Sequence, residues 1–184
     1  MVTYAHLLFA HGLAPGITGN LSVRLGSGDI LITPGSRSLR SLSVGDIVRT
    51  DATGMLRNPA QFPSREFGLH LALYRARDDM RCMIHTHPTF VTAWSKSIGL
   101  FPLDSVSAAE SLDKVALVPY LEVDSPELAT VSSKTFAGGA SILVLQRHGL
   151  SVAGRTLEDA FVQTQLAEQV AELEYYARAL HRQS

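Results

Sequence analysis

The sequence predicts an α/β protein, a three-layer α/β/α sandwich built on a central mixed sheet. Three observations carry this expectation. Short apolar runs of strand length alternate with longer amphipathic segments of helical spacing. Leu21–Leu25 and Asp29–Thr33 flank a Gly26-Ser27-Gly28 turn, a hairpin signature that brings antiparallel pairing into the sheet. The 184 residues contain no internal repeat, linker or low-complexity tract, so residues 1–184 read as one domain, long enough to bury a core. Hairpins mixed with helices close most simply into a sheet covered on both faces.

The elements follow in order. Residues 3–11 read as a short helix and Gly12 to Gly19 as a loop. Beyond the hairpin, Pro34 to Ser38 is a polar loop, and Asp46–Thr50 is a strand ended by a Thr53-Gly54 turn. A helix starts after Pro63, with Ser64 as N-cap and Leu69, Leu71, Leu73 and Tyr74 behind it. Met80–His87 has the composition and length of a strand at the sheet centre. A helix around Phe90–Lys96 precedes an ambiguous stretch to Ser111. Val115–Val118 and Ile142–Gln146 read as strands, separated by a helix from Pro126 to Phe136. The last element is a long helix. Thr156 and Asp159 form a capping-box variant at its start, and Leu157, Ala160, Phe161, Gln165, Ala167, Val170 and Leu173 mark its apolar stripe.

Composition excludes several classes of function. With 46% hydrophobic and 18% charged residues, the chain is neither disordered nor fibrous. No apolar run approaches the roughly 18–20 residues of a membrane helix. The N-terminal MVTYAHLLFAHGL lacks a basic region and a small-residue cleavage site, so it reads as a helix remnant and not a signal peptide. A single cysteine, Cys82, excludes an internal disulfide and a cysteine-based zinc cluster, and fits a reducing, cytoplasmic setting. Cys82 reads as a small buried apolar residue, and Trp94 as core or subunit interface. A net charge of −1 argues against nucleic acid as a partner and leaves room for a local basic pocket for a small anion.

The sharpest chemical signal is His85-Thr86-His87. On a strand, residues two apart face the same side, so both imidazoles would project together, as two ligands of one metal must. Imidazole suits zinc, with copper, nickel and iron less excluded. The alternative is a pair of hydrogen-bonded histidines. His148 follows the apolar strand Ile142–Gln146 and would complete a three-histidine site with an open position, the arrangement of catalytic zinc. Alone it reads more readily as structural. Glu66 lies in the first helical turn after Pro63-Ser64-Arg65, either satisfying the helix dipole or acting as a general base beside the metal. His70, four residues on, either orients Glu66 or packs. The loops Gly16–Asn20 and Thr33–Ser36 are glycine-bearing and hydroxyl-rich, suited to cradle a phosphate, with Ser64 and Arg65 adding donors. Arg24 and Arg37 are further candidate contacts.

Taken together, GITGNLSVR, LITPGS, PSREFGLHLALYRARDD, MIHTHP and QRHGL resemble the successive signatures of the class II aldolase/adducin N-terminal superfamily. Fuculose- and rhamnulose-phosphate aldolases belong to it, as do ribulose-phosphate 4-epimerase, methylthioribulose-phosphate dehydratase and oxo-tetronate-phosphate decarboxylases. Adducin shares the fold without activity. The resemblance implies an α/β/α fold with a mixed, largely antiparallel sheet, and a homotetramer with its active site near a subunit interface. It implies Zn²⁺, or another divalent ion such as Mn²⁺ or Co²⁺, on His85, His87 and His148. It implies a small phosphorylated sugar or sugar acid as substrate. Gly19, Asn20, Gly35, Ser36 and Ser64 match phosphate-holding positions, and Glu66 matches the catalytic acid/base. Epimerases usually carry aspartate there, so glutamate favours the aldolase-like branch.

The chain also departs from the family pattern. It has Thr33-Pro34-Gly35-Ser36 where TPSG or TPTG is common, and Arg65 replaces a serine phosphate donor. The stretch Asp104-Ser105-Val106-Ser107 lacks the tyrosine that fuculose-type aldolases use, and Tyr120, Tyr175 and Tyr176 are the remaining candidates for that acid. The N-terminal helix is short, which reads as a late start, and the chain ends at Ser184 without the longer tail of those aldolases. The expected function is a metal-dependent lyase that cleaves a carbon–carbon bond through a metal-stabilised enediolate. The alternatives are decarboxylation of oxo-tetronate phosphates, sugar-phosphate dehydration or epimerisation, and a non-catalytic adducin-like scaffold.

Overall fold

The computed structural model describes residues 1–105 and 110–181. Helix α1 (Val2–Ala10) is followed by strands β1 (Asn20–Arg24), β2 (Ile30–Ile32) and β3 (Val48–Thr50). Then come α2 (Phe67–Ala76), β4 (Cys82–Thr86), α3 (Thr89–Ser97), β5 (Val115–Val118), α4 (Pro126–Ala137), β6 (Ile142–Leu145), β7 (Gly149–Gly154) and α5 (Leu157–His181). The strands form one seven-stranded sheet in the order β3-β2-β1-β4-β7-β6-β5. Among the described residues only β5 and β6 pair in parallel, joined across α4 as a parallel pair requires. The sheet is therefore mixed and largely antiparallel, with β4 at its centre.

Alternation along the central strands sorts their side chains into two cores. Leu21, Ile84, Ile142, Val144, Leu150 and Val152 face α1, α3 and α5. Met83, Ala153, Leu143 and Leu145 face α2 and α4. Two helical layers thus enclose the sheet, as the sequence predicts. The helix starts are locally encoded. Ser125 Oγ accepts from the Leu128 N–H at 3.1 Å, and Thr156 Oγ1 from that of Asp159 at 3.0 Å.

Three expectations need correction. The strand β7 is missing from the sequence reading, although it lies between β4 and β6. Its six residues, GLSVAG, carry only two large apolar side chains, Leu150 and Val152, between terminal glycines, which reads as a loop. The glycines are there because neighbouring backbone crowds both ends: a Cβ on Gly149 would lie 2.4 Å from the Thr86 carbonyl oxygen, and one on Gly154 2.8 Å from that of Thr156. Residues Val44–Asp46 form a 3₁₀ turn, so the strand over 46–50 shrinks to Val48–Thr50. On α5, Leu173 is half exposed, while Thr164 and Ala171 are buried. In the stretch 104–107, Val106 and Ser107 lie outside the described residues.

Cys82 is buried, with its thiol against the Gly154 and Thr156 carbonyls. Trp94 is also buried and donates its indole N–H to the Ala171 carbonyl at 2.8 Å.

Candidate active site

Sheet register builds one wall of the site. Asn20 on β1 lies opposite His85 on β4, and His85 lies opposite Ser151 on β7. These three side chains form a row on the face that packs against α2. His87 is two residues beyond His85, just past the strand end, so it shares that face. His148 arrives from the three-residue turn between β6 and β7. Arg147 there adopts φ 62°, and the His148 N–H closes the turn on the Leu145 carbonyl at 3.0 Å. Glu66 enters from the opposite layer, at the N-terminus of α2. It is the residue before the helix, with φ −83° and ψ 12°, and not within its first turn. Glu66 itself is the N-cap, with no side-chain cap bond, so Ser64 is not the cap the sequence predicts; it lies two residues earlier and accepts from the Glu66 N–H at 3.4 Å.

The four groups converge. His85 Nε2 and His87 Nε2 are 3.0 Å apart. Glu66 Oε2 lies 3.2 Å from His85 Nε2, and Oε1 lies 3.0 Å from His148 Nε2. The three ring centroids are 4.8 to 5.2 Å apart, and the four donor atoms lie within 4.8 Å of one another. Burial pushes the His85 imidazole down to about 3 and lowers His87, so both are neutral near pH 7. Burial alone would raise the Glu66 carboxyl. His85, His148 and the Asn20 amide outweigh it and hold the group below the usual carboxylate range. Imidazole lone pairs and an ionised carboxylate aimed at one point form a donor set with too few protons to satisfy it. That set fits a divalent cation.

Neighbouring groups orient the ligands. His85 Nδ1 is 3.0 Å from Ser151 Oγ, the contact that leaves Nε2 free to ligate when Nδ1 carries the proton. Asn20 donates from Nδ2 to Glu66 Oε2 at 2.9 Å. Its Oδ1 meets His70 Nε2 at 2.5 Å, so His70 acts on Glu66 through Asn20 and not directly.

A cleft of about 420 Å³ opens over the group. Gly19, Asn20, Gly35, Ser36, Ser64, Arg65, Glu66, His87 and His148 all line it, whereas His85 is fully buried and reaches the group through its contacts with Glu66 and His87. The loop carrying Gly35 is stitched to the segment before α2. Gly35 N–H donates to the Phe62 carbonyl at 3.1 Å, and Ser64 N–H to that of Thr33 at 3.0 Å. The Gly35 amide is thus already used, and Ser36, at φ 57°, turns the loop into the cleft. Gly19 sits at φ 77° with no room for a side chain, since a Cβ would fall 2.8 Å from that of Ala14. Arg65 is largely exposed and pairs with Asp124 at 3.0 Å across the cleft rim.

Two candidate arginines lie elsewhere. Arg24 donates to the carbonyls of Tyr74, Arg77 and Met80 at the far end of α2, and Arg37 pairs with Asp46. Tyr175 and Tyr176 stack on Phe90 and do not line the cleft. Tyr120 packs against the Arg147 guanidinium beside the His148 turn. Sequence reasoning missed Ser151 and Asp124. Ser151 lies on the unrecognised strand, and nothing local distinguishes Asp124 from a loop aspartate.

The model of the class II aldolase and adducin N-terminal domain matches residues 1–175. The chain belongs to this family. Its relatives include a 3-oxo-tetronate 4-phosphate decarboxylase from Haemophilus influenzae, 32% identical over 179 residues, covering 94% of this chain and 84% of that protein. An L-fuculose phosphate aldolase from Methanococcus maripaludis is 30% identical over 174 residues, covering 95% and 93%. A solved L-fuculose 1-phosphate aldolase superposes with a TM-score of 0.89 at 27% identity, covering 97% of this chain and 84% of the other. The protein is thus an enzyme of the class II aldolase type, and its histidine–glutamate group is able to bind the divalent metal that such aldolases use. No described helix is long and apolar enough to cross a membrane.

Proposed function

We propose that the protein is a zinc-dependent lyase that cleaves a carbon–carbon bond in a small phosphorylated sugar or sugar acid. The observation that carries this reading is the convergence of the Glu66 carboxylate with the imidazoles of His85, His87 and His148 beneath an open cleft. Those histidines would hold the metal, which supplies Lewis-acid polarisation of a substrate carbonyl and hydroxyl. Manganese or cobalt would suit the same donors.

Glu66 is the base in this reading. Its Oε2 is held by Asn20, while Oε1 faces the ligand cluster, within reach of a substrate carbon seated there. The carboxylate takes a proton from, or returns one to, the carbon that carries charge as the bond breaks. Burial strengthens each of these electrostatic interactions. At the cleft rim, Ser36 and Ser64 offer hydroxyl donors and Arg65 a guanidinium to the phosphate, with Gly19 and Gly35 keeping the walls close. The amide of Asn20 is directed at Glu66, so its part in anion binding is indirect. Half-exposed Tyr175 and Tyr176 on α5 support a homotetramer, and the single buried thiol supports a cytoplasmic setting.

The runner-up is decarboxylation of an oxo-tetronate phosphate. It is favoured by the 32% identity to the decarboxylase and shares the same charge development at carbon. Dehydration or epimerisation of a sugar phosphate, and an adducin-like scaffold role, rank below it. Bound metal per subunit is the first measurement, comparing wild type with His87→Ala. Close to one ion, lost in the variant, is expected. A panel of phosphorylated ketoses and oxo-acids then separates aldehyde release from CO₂ release. Metal-loaded protein that turns over neither class would overturn the lyase reading in favour of the scaffold.

A further inference from the structure

Behind Glu66, a buried line of polar side chains runs on from Asn20 through residues that the chemistry above does not use. Asn20, Ser22, His70 and Tyr74 are all shielded from solvent. Glu66 Oε2 meets Asn20 Nδ2, Asn20 Oδ1 meets His70 Nε2, His70 Nδ1 is 2.6 Å from Ser22 Oγ, and Ser22 Oγ is 2.7 Å from Tyr74 Oη. The line joins α2 to β1, because His70 and Tyr74 are one and two helical turns beyond Glu66 while Asn20 and Ser22 alternate on one face of the strand.

We infer that this line is a one-way chain of hydrogen bonds, every proton pointing toward Glu66, and that Asn20 and His70 are positioning residues for that carboxylate. Donor and acceptor inventory fixes each direction. An ionised carboxylate only accepts, so the Asn20 end facing Glu66 is the NH₂. Its carbonyl oxygen then faces His70, so His70 Nε2 carries a proton and donates. A neutral imidazole has one N–H, so Nδ1 accepts and Ser22 donates to it. The Ser22 oxygen in turn accepts from the Tyr74 hydroxyl. The Met83 backbone N–H already occupies the Tyr74 oxygen, leaving its O–H for Ser22. Burial lowers the His70 imidazole to about 4, which keeps the ring neutral at working pH. Flipping any one member sets two acceptors or two donors face to face among buried side chains, a costly arrangement.

The consequence for catalysis rests on the proposed role of Glu66. Asn20 can hold Oε2 in one place only if its own amide cannot turn, and His70 is what prevents the turn. The ring's tautomer is therefore set by the chain, independently of any metal or substrate. Long-range proton–nitrogen correlation of the histidine rings in ¹⁵N-labelled protein tests this directly, with His70 assigned by its loss in His70→Gln. The expected result is a proton on His70 Nε2 and a bare Nδ1. A proton on Nδ1, or on both nitrogens, at neutral pH overturns the chain. This measurement needs no turnover, so it decides the matter even if the substrate panel sinks the lyase reading.

Kinetics test the positioning role. The glutamine amide of His70→Gln reaches where Nε2 stood and can still donate to Asn20, whereas the shorter amide of His70→Asn reaches only Ser22. With the substrate that wild type turns over, His70→Asn should lose about tenfold or more in kcat at little changed KM and unchanged bound metal. His70→Gln should recover most of that loss. Equal losses in the two variants, or a loss that tracks metal content, overturn the positioning role.

Discussion

A β-carbon on Gly149 would fall 2.7 Å from Cδ2 of His87. The glycine that opens β7 is what lets the ligand-bearing end of β4 lie close against its neighbour. In Gly149→Ala the strands must separate, because the Thr86 carbonyl is also in the way and backbone does not give as a flexible side chain does. The change should destabilise the protein by about 1–3 kcal/mol. It should also weaken divalent metal binding by roughly tenfold or more, since His87 moves while His85 stays in register. Zinc competition against a chromogenic chelator reads the second effect and urea unfolding the first. Wild-type affinity in the variant would show that the site does not depend on this close approach.

Ser151 is the partner of His85 Nδ1. Removing its hydroxyl leaves a fully buried ring nitrogen unpaired and the ring free to change tautomer. Ser151→Ala should keep the fold and lose about 10–100-fold in zinc affinity. The same competition assay checks it, with far-ultraviolet circular dichroism as the control for folding.

Acid should destabilise the metal-free protein, and His70 contributes to the effect. Its imidazole titrates at about 4 when folded, against an ordinary value of 6.5, because burial opposes the charge more than Glu66 favours it. Between those values the unfolded chain binds the extra proton and the native state does not. The group's contribution to stability is thus complete above pH 6.5 and is lost as pH falls toward 4. His85, lowered by burial to about 3, acts in the same direction. The urea midpoint of chelator-treated wild type should fall more steeply between pH 7 and 4.5 than that of His70→Gln. Parallel curves would contradict this.

Glu168 of α5 reaches across to the start of α3, which follows His87 and Pro88 directly. Its carboxylate accepts from the N–H groups of Phe90 and Val91, both at 2.9 Å, doing for this helix what no local cap does. Burial raises its carboxyl above the ordinary range, although these amide donors pull the other way. Glu168→Ala strands two buried-end donors and should cost about 1–3 kcal/mol in urea unfolding. A loss within experimental error would mean that solvent replaces the cap.

Much of this enzyme is written locally. The period-two spacing of His85 and His87, the turn that ends in His148, and the Pro-Ser-Arg-Glu entry into α2 each depend on a few adjacent residues, so the three imidazoles and Glu66 could be named before any contact was known. The hairpin and the alternation of strands and helices likewise fixed the layer order. What stayed hidden depends on register between strands far apart in the chain. Ser151 is 66 residues from His85 and matters only because β7 pairs beside β4. That strand begins and ends in glycine because its neighbours crowd both ends, which disguised it as a loop. His70 has the look of a packed helix residue until Asn20 is seen across from His85, turning one buried histidine into the group that holds Asn20, and through it Glu66. Arg65 is a free cation in sequence and Asp124's partner in space. Chemical identity and local geometry were carried by neighbouring residues, whereas the orientation of each functional group was set by hydrogen bonds that only the assembled sheet brings within reach.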